Sequence, residues 1–114
     1  MADVVDIGAG KSGDELLVVL NALSHPQRMR ILGALAEGPR HVSQLARDVR
    51  LSRPLLYMHL QRLQTAGLVS GTSELSPDGR ARKLIRAEPF ALSLTLEALA
   101  AAAKTVTTTS ATKE

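Results

Sequence analysis

LSRPLLYMHLQRLQTAGLV, residues 51–69, is the stretch on which the reading of this chain turns. Ser52 can cap a helix by accepting a bond from one of its first free backbone N–H groups. Pro54 falls in the first turn, where a missing N–H costs nothing. Leu56, Leu60 and Leu63 then recur at i, i+4 and i+7, the spacing of one buried helical face. Gly67 can take the left-handed conformation that closes a helix. Arg53, Tyr57, Met58, Gln61 and Arg62 lie on the other faces. Taken alone, such a helix could as well be a solvated member of a bundle, and its flanks must decide.

Upstream, a helix pattern begins at Asp14, with Leu16, Leu17, Leu20 and Leu23 as its apolar positions and Asp14 and Glu15 at its positive end. Ser24-His25-Pro26 breaks it and starts another, because Pro26 disfavours helical geometry at His25 and suits a first helical position. That second helix is expected to turn Met29, Ile31, Leu32 and Leu35 inward and Arg28 and Arg30 outward, ending at Gly38-Pro39. A short third helix, Val42 to Val49, buries Val42, Leu45 and Val49. Arg50-Leu51 links it to Ser52. Two short helices joined tightly, the second with a polar and basic outer face, form the helix-turn-helix pattern. In that pattern the second helix enters the DNA major groove N-terminus first.

Downstream, the period changes. Residues 68–72 and 82–86 read as strands, and Ser76-Pro77-Asp78-Gly79 is a turn with a preset φ at the proline and a positive φ at the glycine. The resulting hairpin carries Arg80, Arg82 and Lys83 near its tip, as a wing of positive charge. From Phe90 to Lys104 the pattern is helical again, with Leu92, Leu94, Leu96, Leu99 and an alanine run. So apolar a helix must be covered on most sides, which points to packing on the first helix and on a second copy. The expected fold is mainly α with a small β-hairpin wing: a winged helix-turn-helix of five helices whose terminal helices form a dimer interface. Residues 1–12 are expected to be flexible, 13–104 to form the DNA-binding and dimerisation domain, and 105–114 to be a disordered tail.

Composition narrows the function. The 114 residues contain no cysteine, which removes disulfides, thiolate metal sites and cysteine nucleophiles. Hydrophobic residues reach 45% but aromatic ones only 2%, so the core rests on Leu, Ala and Val. No signal peptide and no apolar run long enough to span a bilayer can be read, and the expectation is a cytoplasmic protein. The net charge of +3 is unevenly placed: residues 25–86 hold 11 basic and 4 acidic side chains, the remainder 3 and 7. A basic centre between acidic flanks suits a polyanion-binding module. Gly8-Ala9-Gly10-Lys11-Ser12 imitates the end of a phosphate-binding loop, but Val5 stands where that motif needs its first glycine. The three histidines adjoin no nucleophile or acid pair, so no catalysis is expected.

Two stretches resemble the ArsR/SmtB family of small dimeric winged-helix repressors. One is Leu23-Ser24-His25-Pro26-Gln27-Arg28-Met29-Arg30-Ile31-Leu32. The other is Leu51-Ser52-Arg53-Pro54, with His59-Leu60 and Leu63-Gln64-Thr65-Ala66-Gly67-Leu68-Val69. Gly79-Arg80 in the wing also fits. The resemblance implies a homodimer on double-stranded DNA with an inverted-repeat operator, its signal coming from a metal ion, a co-regulator protein or another effector. It places base reading on Ser52, Arg53, Leu55, Tyr57 and Met58, where an arginine most often reads guanine bidentately. Leu55 and Tyr57 are bulkier than the family's usual residues there. Arg62, Arg80, Arg82 and Lys83 are expected on phosphate, adding affinity without sequence information. His59, close to the leucine face, is expected to pack or orient.

The family's sensing sites match poorly. The positions of its Cys-x-Cys pair are occupied by His41 and Ser43, and between Phe90 and Lys104 there is no Asp or His, only Glu97. The metal candidates are His25 and His41, with Asp3, Asp6, Asp14 and Glu15 as carboxylates, and nickel or zinc as the ions that suit them. A repressor that senses no metal is the other open reading. In a different class stands a winged helix that docks an acidic partner protein rather than reading DNA.

Overall fold

A computed structural model describes residues 5–6 and 11–107. Helix α1, Gly13–Leu23, opens with a capping box: the Ser12 hydroxyl accepts from the Glu15 N–H at 3.1 Å, and the Glu15 carboxylate accepts from the Ser12 N–H at 2.9 Å. The Ser12 backbone N–H, then its hydroxyl, holds the Glu15 carboxyl below its ordinary pKa. Helix α2, Pro26–Leu35, is capped by His25, whose Nδ1 accepts from the Gln27 N–H at 3.2 Å. The two-residue strand β2, Arg40–His41, leads directly into α3, Val42–Val49.

The turn after α3 is made by Arg50 at φ 58°, a left-handed residue that lets Leu51 N–H return to Ala46 O at 3.0 Å. Helix α4, Arg53–Thr65, follows, with the Ser52 hydroxyl accepting from the Leu55 N–H. Its far end is a Schellman closure. Gly67 sits at φ 78°, Leu68 N–H reaches Leu63 O, and Gly67 N–H reaches Gln64 O, each at 2.9 Å. Leu63 and Leu68, which that geometry brings together, are both fully buried.

Strands β3, Val69–Leu75, and β4, Ala81–Ala87, pair antiparallel with Val69 opposite Ala87 and Leu75 opposite Ala81. β2 joins on the other side of β4, giving the order β2-β4-β3. The short strand β5, Phe90–Ala91, pairs in parallel with β1, Val5–Asp6. Helix α5, Leu96–Ala103, is the last helix of the described residues and packs on α1.

One core joins these elements: Ile31 of α2, Leu45 of α3, Leu56 and Leu63 of α4, and Leu68 are fully buried, and Ile85 roots the wing among them. Burying each such side chain contributes about 2 kcal/mol. No helix of the described residues is long and apolar enough to cross a membrane.

The structure departs from the sequence expectation at several positions. In α2, Ile31 and Leu35 set the buried stripe. Met29, two residues off that stripe, is 67% exposed instead of inward. Arg28, three residues before Ile31 and on its side of the helix, turns inward and partly buries itself. In α1 the stripe is Leu16, Val19 and Ala22, and Leu17 faces out. The last helix begins six residues later than its apolar pattern suggests, because Phe90 and Ala91 pair with β1 and Thr95 supplies the cap, its hydroxyl accepting from Ala98 N–H at 3.0 Å. The hairpin is correspondingly longer than expected, at seven residues a strand.

Of the flanks expected to be flexible, Val5–Asp6 and residues 105–107 make defined contacts. The Thr105 hydroxyl accepts from the Gly13 N–H at 2.7 Å, and Thr107 N–H donates to the Asp14 carboxylate at 2.9 Å. Residues 1–4, 7–10 and 108–114, which hold Asp3 and most of the Gly8–Ser12 fragment, lie outside the described residues.

Candidate nucleic-acid interface

The first two turns of α4, the start of α3 and the wing enclose a cleft of about 620 Å³. Arg53 and Tyr57, four residues apart on α4, line one side. Arg80, Arg82 and Lys83 line the other. The wing holds its cations there by a rigid tip. Ser76 N–H bonds Arg80 O at 2.8 Å, Gly79 sits at φ 83°, and the Ser76 hydroxyl bonds the Asp78 carboxylate. That hydroxyl, then the Arg80 backbone N–H, holds the Asp78 carboxyl below its ordinary pKa and keeps it anionic. Asp78 stands 3.7 Å from the Arg80 guanidinium and draws on its charge.

The five expected base-reading residues, Ser52, Arg53, Leu55, Tyr57 and Met58, are all exposed, but they divide between two flanks of α4. Arg53 and Tyr57 share the cleft with the wing. Leu55, 48% exposed, and Met58, 46% exposed, stand three residues apart on another flank, because two residues along a helix turn a side chain by roughly 200°. Ser52 stays at the helix start, its hydroxyl engaged by Leu55 N–H. Arg62, also expected on phosphate, does not line the cleft with Arg80, Arg82 and Lys83. It lines a second cleft with Asn21 of α1 and Gln61 of α4.

Charge is sorted by the fold. Arg40 is spent on Asp48 at 2.5 Å and Glu37 at 3.1 Å. Among the described residues no ion pair is found for Arg53, Arg82 or Lys83. These side chains line the open cleft without a direct ion pair among the described residues.

The described metal candidates His25, His41 and Asp14 each have a partner within the chain. His41 Nε2 meets the Glu74 carboxylate at 2.6 Å, tying β2 to β3 at the edge of the cleft. His25 caps α2 and packs at a tilt against His59. Asp14 is engaged by Thr107. Among the described residues no three His, Cys, Asp or Glu side chains gather as a metal would need. His41 and Ser43 line the cleft beside Arg53 and the wing. Their place there had no signal in the local sequence, because β2 reaches the wing only through its pairing with β4.

His59 is the buried polar side chain of the core, 4% exposed. Burial lowers its pKa, helped by the charges of His25 and Arg28. The expectation that it packs and orients matches this placement.

Comparison with known proteins agrees with the geometry. Residues 25–70 match the family described as "Bacterial regulatory protein, arsR family". An uncharacterized HTH-type transcriptional regulator of Methanocaldococcus jannaschii is 41% identical over 70 residues, which span 60% of this chain and 72% of that one. An HTH-type transcriptional regulator of Mycobacterium tuberculosis is 43% identical over 67 residues, 53% of this chain and 63% of that one. Among solved structures, the homodimeric winged helix-turn-helix DNA-binding domain from Mycobacterium bovis superposes with a TM-score of 0.59 at 29% identity, covering 69% of this chain and 74% of that one.

Proposed function

Because the chain belongs to the ArsR family of winged helix-turn-helix transcriptional regulators, we propose that it is a homodimeric repressor reading an inverted-repeat operator. The observation that carries this reading is the cleft in which Arg53 and Tyr57 face Arg80, Arg82 and Lys83. A groove bounded by a helix start and a cationic hairpin accepts a phosphate backbone along its rim and a base edge at the helix start. Arg53 and Tyr57 read bases on the wing side, and Leu55 and Met58 contact thymine methyl groups on the other. Arg80, Arg82 and Lys83 neutralise phosphate.

The dimer is supported by unspent apolar surface. No residue of α5 is buried within one chain, Leu96 is 81% exposed, and Leu17 and Val18 of α1 are exposed as well. A second copy covering those leucines would set two α4 helices for two half-sites of a symmetric operator. Bound there, the protein would block a promoter.

Fluorescence anisotropy with the DNA upstream of the chain's own gene, against a scrambled duplex, tests the reading. Tighter binding to the upstream duplex, falling steeply with salt, is the expected result. Equal or salt-independent binding to both duplexes would instead favour a protein-docking module.

A further inference from the structure

A second cleft, of about 410 Å³, opens between α1 and α4 and is lined by no residue of the wing. Its polar side chains are Asn21, Arg28, Gln61, Arg62 and Thr65. Every one can donate a hydrogen bond, and no carboxylate is among them. Its volume lies within the range of small-molecule sites.

Arg28 is built into this cleft rather than laid over it. Its Nε donates to Ala22 O at 2.8 Å and its Nη2 to Asn21 O at 3.4 Å, both at the C-terminal end of α1. Its Nη1 stands 3.4 Å from His59 Nδ1. A guanidinium has five N–H donors in a fixed fork, so Nη1 and Nη2 each keep one to spare. Arg62 approaches from the last turn of α4. Among the described residues neither arginine has an ion-pair partner. The C-terminal ends of α1 and α4 subtract about half a charge each, so the cleft keeps a net positive charge.

We propose that this cleft binds a small oxyanion, a carboxylate or phosphate of metabolite size, held between Arg28 and Arg62 with Asn21, Gln61 and Thr65 donating to its remaining oxygens. Two guanidinium groups brought to one cleft without a counter-ion repel each other, and a bound oxyanion reverses that. It also joins the last turn of α1 to the last turn of α4 and, through Arg28, touches the environment of His59. An effector in this position acts on the helix that faces DNA. The binding itself does not depend on the DNA-reading assignment, and it is tested apart from it.

Isothermal titration of the full chain in a zwitterionic, low-salt buffer, with inorganic phosphate and with citrate as separate probes, decides the matter. One saturable site per chain is expected, the tighter probe identifying the chemical source. Arg62→Gln should weaken it by about tenfold or more, the loss of one charge-assisted bond. Arg82→Gln, in the wing, should leave it unchanged. Retention in Arg62→Gln, loss in Arg82→Gln, or no saturable binding of either probe would overturn the proposal, because the anion would then bind the basic wing cleft or nowhere.

Discussion

His59 of α4 packs at a tilt against His25, the cap of α2, with ring centroids 4.7 Å apart and planes inclined by 56°. Arg28 also reaches the His59 ring, its Nη1 3.4 Å from Nδ1. A guanidinium can only donate, so Nδ1 accepts and the ring proton sits on Nε2. Helix α4 is therefore seated on the rest of the core through a neutral imidazole beside a fixed cation.

That seat makes stability depend on pH in a definite direction. Burial, then His25 and Arg28, keeps the folded pKa of His59 below its unfolded value. The unfolded chain takes up this proton below about pH 6.5 and the folded chain resists it. The contribution is fully present above that pH and is lost as pH falls from there toward the folded pKa. Urea unfolding at about pH 7.5 and about pH 5.5 should show a drop in wild-type stability that is smaller in His59→Gln. An equal drop in both proteins would refute the account.

Arg53 and Arg82 face one cleft but should fail differently. Arg53→Ala should cost about 1–3 kcal/mol on the operator and little on scrambled duplex, so that specificity collapses. Arg82→Ala should weaken both duplexes alike and lower the salt slope by about one unit. Anisotropy titrations over a salt series separate the two patterns.

Gly13 is required where α1 meets the end of α5. A methyl group built there would collide with Ala102 O and Val106 Cγ2, and its N–H is already held by Thr105. Because Ala102 O is backbone, the clash cannot be relieved by a rotamer change. Gly13→Ala should destabilise the chain by about 1–3 kcal/mol despite the better helix propensity of alanine, as read by thermal unfolding.

The leucines of α5 should matter to assembly and not to the fold of one chain. Leu96→Glu places a charge where 81% of the leucine is open to solvent. Light scattering should report a shift from dimer toward monomer, with far-ultraviolet circular dichroism unchanged. Unfolding should lose its dependence on protein concentration. A variant that stays dimeric would move the interface away from α5.

Residues 51–69 determined helix α4 by themselves. Its Ser52 cap, Pro54, leucine spacing and Gly67 closure act through bonds and rotations within a few residues, so they can be read in order along the chain. The same holds for Ser76–Gly79, whose turn chemistry alone announces the wing. Arg53 and the wing cations followed, because a helix-turn-helix leading into a hairpin leaves one arrangement of that helix start and that tip.

Tertiary structure decided what depends on neighbours far along the chain. Arg28 went inward because the C-terminal carbonyls of α1 and the ring of His59 stand in its reach. Met29, though apolar, was left outside because it lies off the Ile31–Leu35 stripe. Arg62 was separated from the other cations by the rotation of α4, which turns it toward Asn21 of α1. His41 met Glu74 only because β2 adds to the wing sheet at β4. Periodicity specifies which residues share a face, but which surface that face meets is set by packing between distant segments.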